Sequence, residues 1–192
     1  MKLNAQTLAL ALALSPALTF AAQKQAEDAN MTDERLVTIL HDTNKEEIAA
    51  GRLAQKKGSS VDIKSFGEKL VADHTRSDQE VMAAATRAGV KPNPSSLSAH
   101  DKEMMQTDKK KMDQMERLSG SEFDKAFAQE MSRDHDHMLS MLRDAKKHVS
   151  APIKELVDNT IPVLEQHKDL ADKAGKSADR ATRGREPQPI KR

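Results

Sequence analysis

The amino-acid sequence predicts an all-α protein that folds as a ferritin-like antiparallel helical bundle with an additional crossover helix. Two observations support this prediction. Only 2% of the 192 residues are aromatic and 32% are charged, and this composition favours helix over strand. Glycine and proline also fall between segments whose apolar residues recur every three to four positions, as in amphipathic helices separated by turns.

Residues 1–22 are predicted to form a secretory signal peptide. Lys2 gives a positive start, residues 8–20 are mostly apolar, and Ala21 and Ala22 form a small-residue cleavage zone. The apolar stretch is shorter than the roughly 20 residues that span a bilayer, which disfavours an uncleaved membrane anchor. We therefore expect a periplasmic protein with a short N-terminal lead (23–31) and no membrane span once the signal peptide is removed.

The cysteine count and the charge balance exclude several classes of protein. The chain has no cysteine, which rules out disulfides, thiol chemistry and a lipid anchor at the cleavage point. It carries 31 basic and 30 acidic side chains, for a formal net charge of +1. Together with only four phenylalanines and no tryptophan or tyrosine, this balance argues against a nucleic-acid-binding protein.

Start and stop signals divide a domain of residues 32–175 into five predicted helices. The first, 32–57, has acidic residues in its first turn and a glycine directly after its end. The second opens at a capping box formed by Ser59 and Asp62 and ends before Gly89. These two helices, joined by a tight turn, are expected to form an antiparallel hairpin.

The second half of the domain follows the same pattern. A proline-containing loop at 91–94 leads to a polar third helix, which a Ser–Asp capping box opens and which covers about 98–119. The fourth helix is predicted to open at Ser121 with Asp124 and to run to about Val149. The third helix would carry the chain back along the bundle between two hairpins, which is the ferritin-like order.

The fifth helix has Pro152 in its first turn, where the missing N–H costs nothing, and is predicted to close near Gly175. Pro162 lies inside this helix and is expected to kink it. Residues 176–192 are charged without an apolar period and are predicted to be a disordered basic tail. Such a tail is suited to touch anionic membrane surfaces or envelope polymers.

Four polar residues stand on helix faces that are otherwise apolar. His74, His135 and His167 each continue the apolar stripe of their helix, and Glu47 lies on the inward side of the first helix. Counting about 1.5 Å per residue from the hairpin turns places the three imidazoles near mid-height, with Glu47 within about one helical turn. Imidazoles with a carboxylate are suitable ligands for Zn, Fe, Mn or Cu. The sequence thus predicts one transition-metal ion held by Glu47, His74, His135 and His167.

Two alternatives to this metal site stay open. The histidines can be structural groups that hydrogen-bond one another, the backbone or Glu47. Thioethers and imidazoles at Met131, His135, His137, Met138 and Met141 suit Cu(I), although methionines at helical spacing are commonly core filler. We interpret the four methionines of the third helix as an apolar seam in the same way.

A di-iron centre is not expected, because its Glu-x-x-His pairs are missing before both His74 and His135. Asp73 and Asp134, which directly precede these histidines, point about 100° away along the helix and are interpreted as partners rather than ligands. The triplet Lys109–Lys111 is interpreted as solvated charge. No nucleophile motif and no phosphate-binding glycine loop occurs in the chain, so an enzyme is the least favoured class.

Five stretches of the sequence together resemble the bacterial family catalogued as domain of unknown function 4142: 47–54, 66–75, 118–124, 131–135 and 161–167. The resemblance extends over about 32–173. It implies an exported ferritin-like bundle without an established activity, and members of the family are often named outer membrane proteins. Phe127 stands where the family usually carries a tyrosine, which removes a buried hydroxyl near the centre.

The leading hypothesis is an exported periplasmic bundle that binds a metal ion or serves a stress-related role. The alternative is a metal-free cell-envelope protein that acts through envelope association or self-association. The shared height of the four polar residues favours the first hypothesis.

Overall fold

The computed structural model describes residues 31–183, with side chains to residue 180. Outside this part lie the predicted signal peptide, residues 23–30 of the predicted lead, and residues 184–192. The described part is all-α, as predicted, and contains no strand. The helices are α1 (Asp33–Lys57), α2 (Val61–Ala88), α3 (Ala99–Met115), α4 (Gly120–Ala145) and α5 (Ala151–Arg183). A short 3-10 turn at Pro94–Ser96 precedes α3.

The α1–α2 hairpin is held at a very close approach of the two backbones. A Cβ atom on Gly51 would lie 2.6 Å from the carbonyl oxygen of Gly67, and a Cβ on Gly67 would lie 2.6 Å from that of Gly51. Both glycines are buried, so the two helices touch main chain to main chain where they cross.

The helices pack unequally. α4 and α5 form a second closely packed pair, and α2 packs against α5, whereas α1 and α4 contact each other at few positions. α3 touches α4 only lightly and lies over the space between α1 and α4. The bundle is therefore tight on one side and open on the other.

The apolar core forms two separate clusters, one toward each end of the bundle. The first contains Leu36, Val81, Leu142 and Ile153, and the second contains Ile63, Phe66, Phe123 and Phe127 among its largest buried side chains. On every one of the four long helices, a buried polar residue lies between the residues of the two clusters. These residues are Asn44 and Glu47 on α1, Asp73 and His74 on α2, His135 on α4 and His167 on α5.

Two of the predicted capping boxes are wrong. The N-cap of α2 is Ser60, whose hydroxyl accepts from the amide of Ile63. Asp124 does not cap α4, because its buried carboxylate accepts hydrogen bonds from the Ser59 amide, the Ser59 hydroxyl and the Ser60 amide. Its side chain fastens the α1–α2 turn to α4, and α4 begins at Gly120 without a side-chain cap.

The capping box of Ser98 and Asp101 is confirmed at the start of α3, but α3 ends at Met115, before the predicted position. α4 likewise ends at Ala145 rather than near Val149. The prediction that the last helix closes near Gly175 is wrong, since α5 continues to Arg183. Its buried stripe runs on through Ala178, so residues 176–183 are helical rather than disordered.

Proline positions agree with the sequence analysis: Pro152 lies in the first turn of α5 and Pro162 in its interior. None of the described helices combines the length and the apolar character that crossing a bilayer requires.

A buried ion pair anchors the start of α3 to α1. The Arg35 Nε atom donates to Asp101 Oδ2 at 2.7 Å and its Nη2 atom donates to Asp101 Oδ1 at 2.9 Å. Burial alone would raise the pKa of Asp101, but the hydrogen bonds from Arg35 and Ser98 outweigh it and lower that pKa below its usual value.

Asp101→Asn is expected to destabilise the protein by about 2 kcal/mol, because it removes the negative charge that pairs with the buried Arg35 and weakens the cap of α3. Urea unfolding at pH 7 measures the change. Asp113→Asn, at an exposed position of the same helix, serves as the control and is expected to change stability by less than about 0.5 kcal/mol. Equal effects of the two substitutions would contradict this assignment.

Candidate metal centre

Three imidazoles meet in the polar layer between the two apolar clusters. α2 supplies His74, α4 supplies His135 and α5 supplies His167, and all three are at least 96% buried. Their ring centroids lie 5.2 to 5.9 Å apart. Each ring can offer one nitrogen such that the three nitrogens all lie within 4.8 Å of one another.

The outer nitrogen of each ring faces a hydrogen-bond acceptor. Nδ1 of His135 lies 2.8 Å from the carbonyl oxygen of Met131, Nε2 of His167 lies 2.9 Å from the Asp73 carboxylate, and Nδ1 of His74 lies 2.8 Å from the Asn44 side-chain oxygen. A carbonyl, an ionised carboxylate and an amide oxygen only accept, so each of these ring nitrogens carries the hydrogen and donates it. Such acceptors behind imidazoles are typical of histidines that bind metals.

The inner nitrogens are therefore left with lone pairs. Burial lowers the pKa of all three histidines, that of His135 to about 3, so that the rings are neutral at pH 7. Nε2 of His135 and Nδ1 of His167 lie 3.3 Å apart, and Nε2 of His74 is buried and has no hydrogen-bond partner within residues 31–180. Lone pairs that face one another repel unless a cation lies between them.

The spacing of these nitrogens fits a shared ion. Two imidazole nitrogens that bind one tetrahedral ion at roughly 2.0–2.1 Å are separated by about 3.3–3.4 Å. The observed separation of 3.3 Å between His135 Nε2 and His167 Nδ1 agrees with this value. Three neutral imidazoles and an open fourth position form a donor set suited to a divalent late transition metal.

Asp73 orients His167 from behind. Its carboxylate also receives Lys69 at 2.9 Å and Arg76 at 2.5 Å. Burial would raise the pKa of Asp73, but the hydrogen bonds from His167 and Lys69 outweigh it and lower that pKa, so the group stays ionised. Its expected role as a partner rather than a ligand agrees with these contacts.

Glu47 lies next to the histidines but outside the set of three. Its Oε1 atom is 4.0 Å from Nδ1 of His135, the ring nitrogen that donates to Met131. Its Oε2 atom is buried and has no hydrogen-bond partner in the part of the chain that the structure describes. Burial first, and then the nearby carboxylate of Asp134, raises the pKa of Glu47 to about 8. At neutral pH Glu47 is therefore an uncharged carboxylic acid beside the site.

A second cluster of ligand-type groups joins α3 to α4. Oxygen atoms of Asp108, Glu130 and Asp134 lie within 4.8 Å of one another. The Lys111 ammonium lies 2.6 Å from Glu130 and 3.0 Å from Asp108, so this cluster already contains a cation. The interpretation of Lys111 as solvated charge is wrong, because its side chain is mostly covered and bonded across the two helices.

The open side of the bundle holds a cleft of about 420 Å³ between α1, α3 and α4, which reaches His74, His135 and Glu47. Sequence reasoning treated the methionines of the third and fourth helices as two separate groups, whereas both line this one cleft. The methionines along it are Met31, Met104, Met105, Met112, Met115, Met131, Met138 and Met141.

Sequence reasoning also missed two partners of the histidines. Asn44 lies one helical turn before Glu47 on the same face of α1, a spacing that offers a weak signal. The backbone carbonyl of Met131 gives no signal in the sequence, because every residue has a backbone carbonyl.

Comparison with known proteins gives a single kind of match. A family model described as Domain of unknown function (DUF4142) matches residues 18–174. No curated protein and no solved structure matches the chain.

Proposed function

The chain belongs to the DUF4142 family of domains of unknown function, and from its site we propose that it is a metal-binding protein which holds one transition-metal ion on His74, His135 and His167. One observation carries the proposal. All three outer ring nitrogens face acceptors, so three inner lone pairs converge in a buried space without a donor.

The donor set favours some ions over others. Imidazole ligands suit Zn, Cu, Ni and Co, whereas Mg and Ca prefer oxygen. The site adds no negative charge of its own, so the nearby ionised carboxylate of Asp73 balances part of the charge of the ion. Glu47 can complete the coordination after losing its proton, or accept a hydrogen bond from a water molecule in the fourth position.

We further propose that the domain has the ferritin-like arrangement and acts in the periplasm. The two closely packed hairpins α1–α2 and α4–α5, with α3 between them in the chain, support the arrangement. The N-terminal pattern of Lys2, apolar residues 8–20 and Ala21–Ala22 supports export. The converging histidines and the N-terminal pattern together support a metal-binding role in the envelope.

The rival explanation is a metal-free envelope protein in which a proton replaces the metal. If His167 is an imidazolium, it donates both to Asp73 and to His135, and the layer is purely structural. The ion-pair geometry of His167 and Asp73 favours this alternative, and the burial that lowers the pKa of His167 disfavours it.

We expect the purified protein, after exposure to Zn²⁺, Co²⁺, Ni²⁺ and Cu²⁺ and removal of free metal, to retain one ion per chain by elemental mass spectrometry. His135→Gln is expected to weaken binding by more than roughly 100-fold, because it removes a ligand. His148→Gln, at an exposed position in the α4–α5 connection, is the matched control and should bind like the wild type.

Two further measurements guard against a variant that fails to fold. The Co²⁺ form of the wild type should show the strong visible absorption of a four-coordinate ion. Asp73→Asn, which keeps all three ligands, should weaken binding by roughly 10- to 100-fold. Absence of stoichiometric metal in the wild type, or full metal content in folded His135→Gln, would refute the site.

A further inference from the structure

The cleft between α1, α3 and α4 gathers most of the methionine of the protein. Eight of the ten methionines of the chain line it, and the two others are Met1, which lies outside the described residues, and Met82, which is 39% exposed on α2. Methionine is flexible and polarizable, and surfaces rich in it adapt to ligands of varied shape. This concentration along one surface indicates a binding site for an apolar group.

The cleft is elongated. Residues of α3 from His100 to Met115 line it along the whole helix, and 17 residues of helix correspond to about 25 Å. Its volume of about 420 Å³ lies within the range of roughly 300–1,000 Å³ for small-molecule sites. A linear molecule matches this shape better than a compact one.

The charged groups of the cleft are predominantly acidic. Eight carboxyl side chains line it, against two basic ones, Arg35 and Lys109. Arg35 is already bonded to Asp101, and Lys111 pairs with three of the acidic groups, those of Asp108, Glu130 and Asp134. The carboxyl groups are those of Glu46, Glu47, Asp101, Asp108, Glu116, Glu130, Asp134 and Asp144.

One of these carboxyl groups has an unused atom. The Glu47 side chain is 9% exposed and lines the cleft, and its Oε2 atom has no hydrogen-bond partner among the described residues. A buried polar atom without a partner destabilises the folded protein, and a hydrogen-bond donor on a ligand would remove that destabilisation.

We propose that this cleft binds a linear amphipathic organic cation, with its apolar chain along the methionines and its positive group hydrogen-bonded to the carboxyl group of Glu47. The site does not depend on the metal. Apolar burial against adaptable thioethers supplies affinity, and the acidic lining selects for positive over negative head groups.

The test uses the purified protein treated with a chelator and labelled with ¹³C at its methionine methyl groups. Three probes share an eight-carbon chain and differ in charge: octylammonium, octanol and octyl sulfate. We expect octylammonium, whose N–H groups can donate to Glu47, to shift the methyl signals of the cleft methionines in NMR spectra while Met82 stays unchanged. Its affinity should exceed that of octyl sulfate by roughly tenfold or more, the equivalent of 1.4 kcal/mol.

Paired substitutions test each half of the proposal. Met104→Lys, in the cleft, should weaken octylammonium binding roughly tenfold, whereas Met82→Lys should not. Glu46→Lys, in the cleft lining, should reduce the preference for the cationic probe, whereas Glu68→Lys on the exposed face of α2 should not. The thermal melting temperature of each variant verifies that it is folded.

Several results would overturn the proposal. Equal affinity for the cationic and anionic probes, or shifts of Met82 equal to those of the cleft methionines, would show unspecific binding. Concentration-dependent shifts of the cleft signals without any probe would identify a second copy of the chain as the occupant. Binding that occurs only after deletion of residues 184–192 would identify that basic segment as the occupant.

Discussion

The metal-free protein is expected to lose stability as the pH rises from 6.5 to 8, and Glu47→Gln is expected to make this loss smaller by about 2 kcal/mol. The reason is the burial of this carboxyl group, which raises its pKa to about 8. In the unfolded chain the same group has a pKa of roughly 4.3–4.5. Glutamine in this position does not titrate.

The sign follows from proton binding. Between pH 4.5 and pH 8 the folded protein holds a proton on Glu47 that the unfolded chain has released. Stability therefore falls by about 1.4 kcal/mol per pH unit as the pH rises through this window, and the loss is complete above the folded pKa. The buried histidines act in the opposite direction, but only below about pH 6.5, where the unfolded imidazoles take up protons.

Urea unfolding at several pH values from 6.5 to 9, in the presence of a chelator, measures the difference. Glu68→Gln, at an exposed position of α2, is the control and should follow the wild type. Parallel pH profiles of Glu47→Gln and the wild type would show that Glu47 is ionised in the folded protein at neutral pH.

Gly51→Ala is expected to destabilise the protein by about 2–3 kcal/mol. The added Cβ would lie 2.6 Å from the Gly67 carbonyl oxygen and 2.9 Å from Cγ2 of Val71, so α1 and α2 must separate to admit it. Alanine gains about 1 kcal/mol of helix propensity over glycine, which the steric cost exceeds. Gly67→Ala should have a similar effect, since the contact is reciprocal.

Gly175→Ala is the matched control for this prediction. Gly175 also lies inside a helix, but a Cβ there would meet only Ala128 Cβ at the ordinary distance of 3.5 Å. This substitution should stabilise the protein by about 0.5–1 kcal/mol, because the gain in helix propensity meets no clash. Thermal or urea unfolding measures all three variants, and a stabilised Gly51→Ala would contradict the close crossing of α1 and α2.

The helices were largely predictable because their signals are local. Thr32 caps α1 and Ser98 and Asp101 form a capping box, each through contacts within one turn. The tertiary contact of Asp124 was not predicted, because its partners, Ser59 and Ser60, lie more than 60 residues away in the sequence. The same sequence pattern is compatible with a carboxylate that caps its own helix and with one that accepts hydrogen bonds from a distant turn, so it does not show which of the two roles Asp124 has.

For the site, the sequence was sufficient to predict the axial position of each histidine along its helix and the helix face on which it lies. Counting residues along the hairpins places His74, His135 and His167 together, and the structure has them in contact. The partners of the outer nitrogens depend on side-chain rotamers, which helical periodicity does not specify. The cleft depends on the distance between α1 and α4, about which neither amphipathic stripe carries information.

The polar layer between the two apolar clusters also determines the axial register of the helices. If any one of the four long helices slid by a single turn, about 5.4 Å, its polar residue would enter an apolar cluster and an apolar residue would enter the layer. A uniformly apolar core would tolerate such slippage far better. Asn44, His74, His135 and His167 thus fix the relative axial positions of four helices, whatever the layer binds.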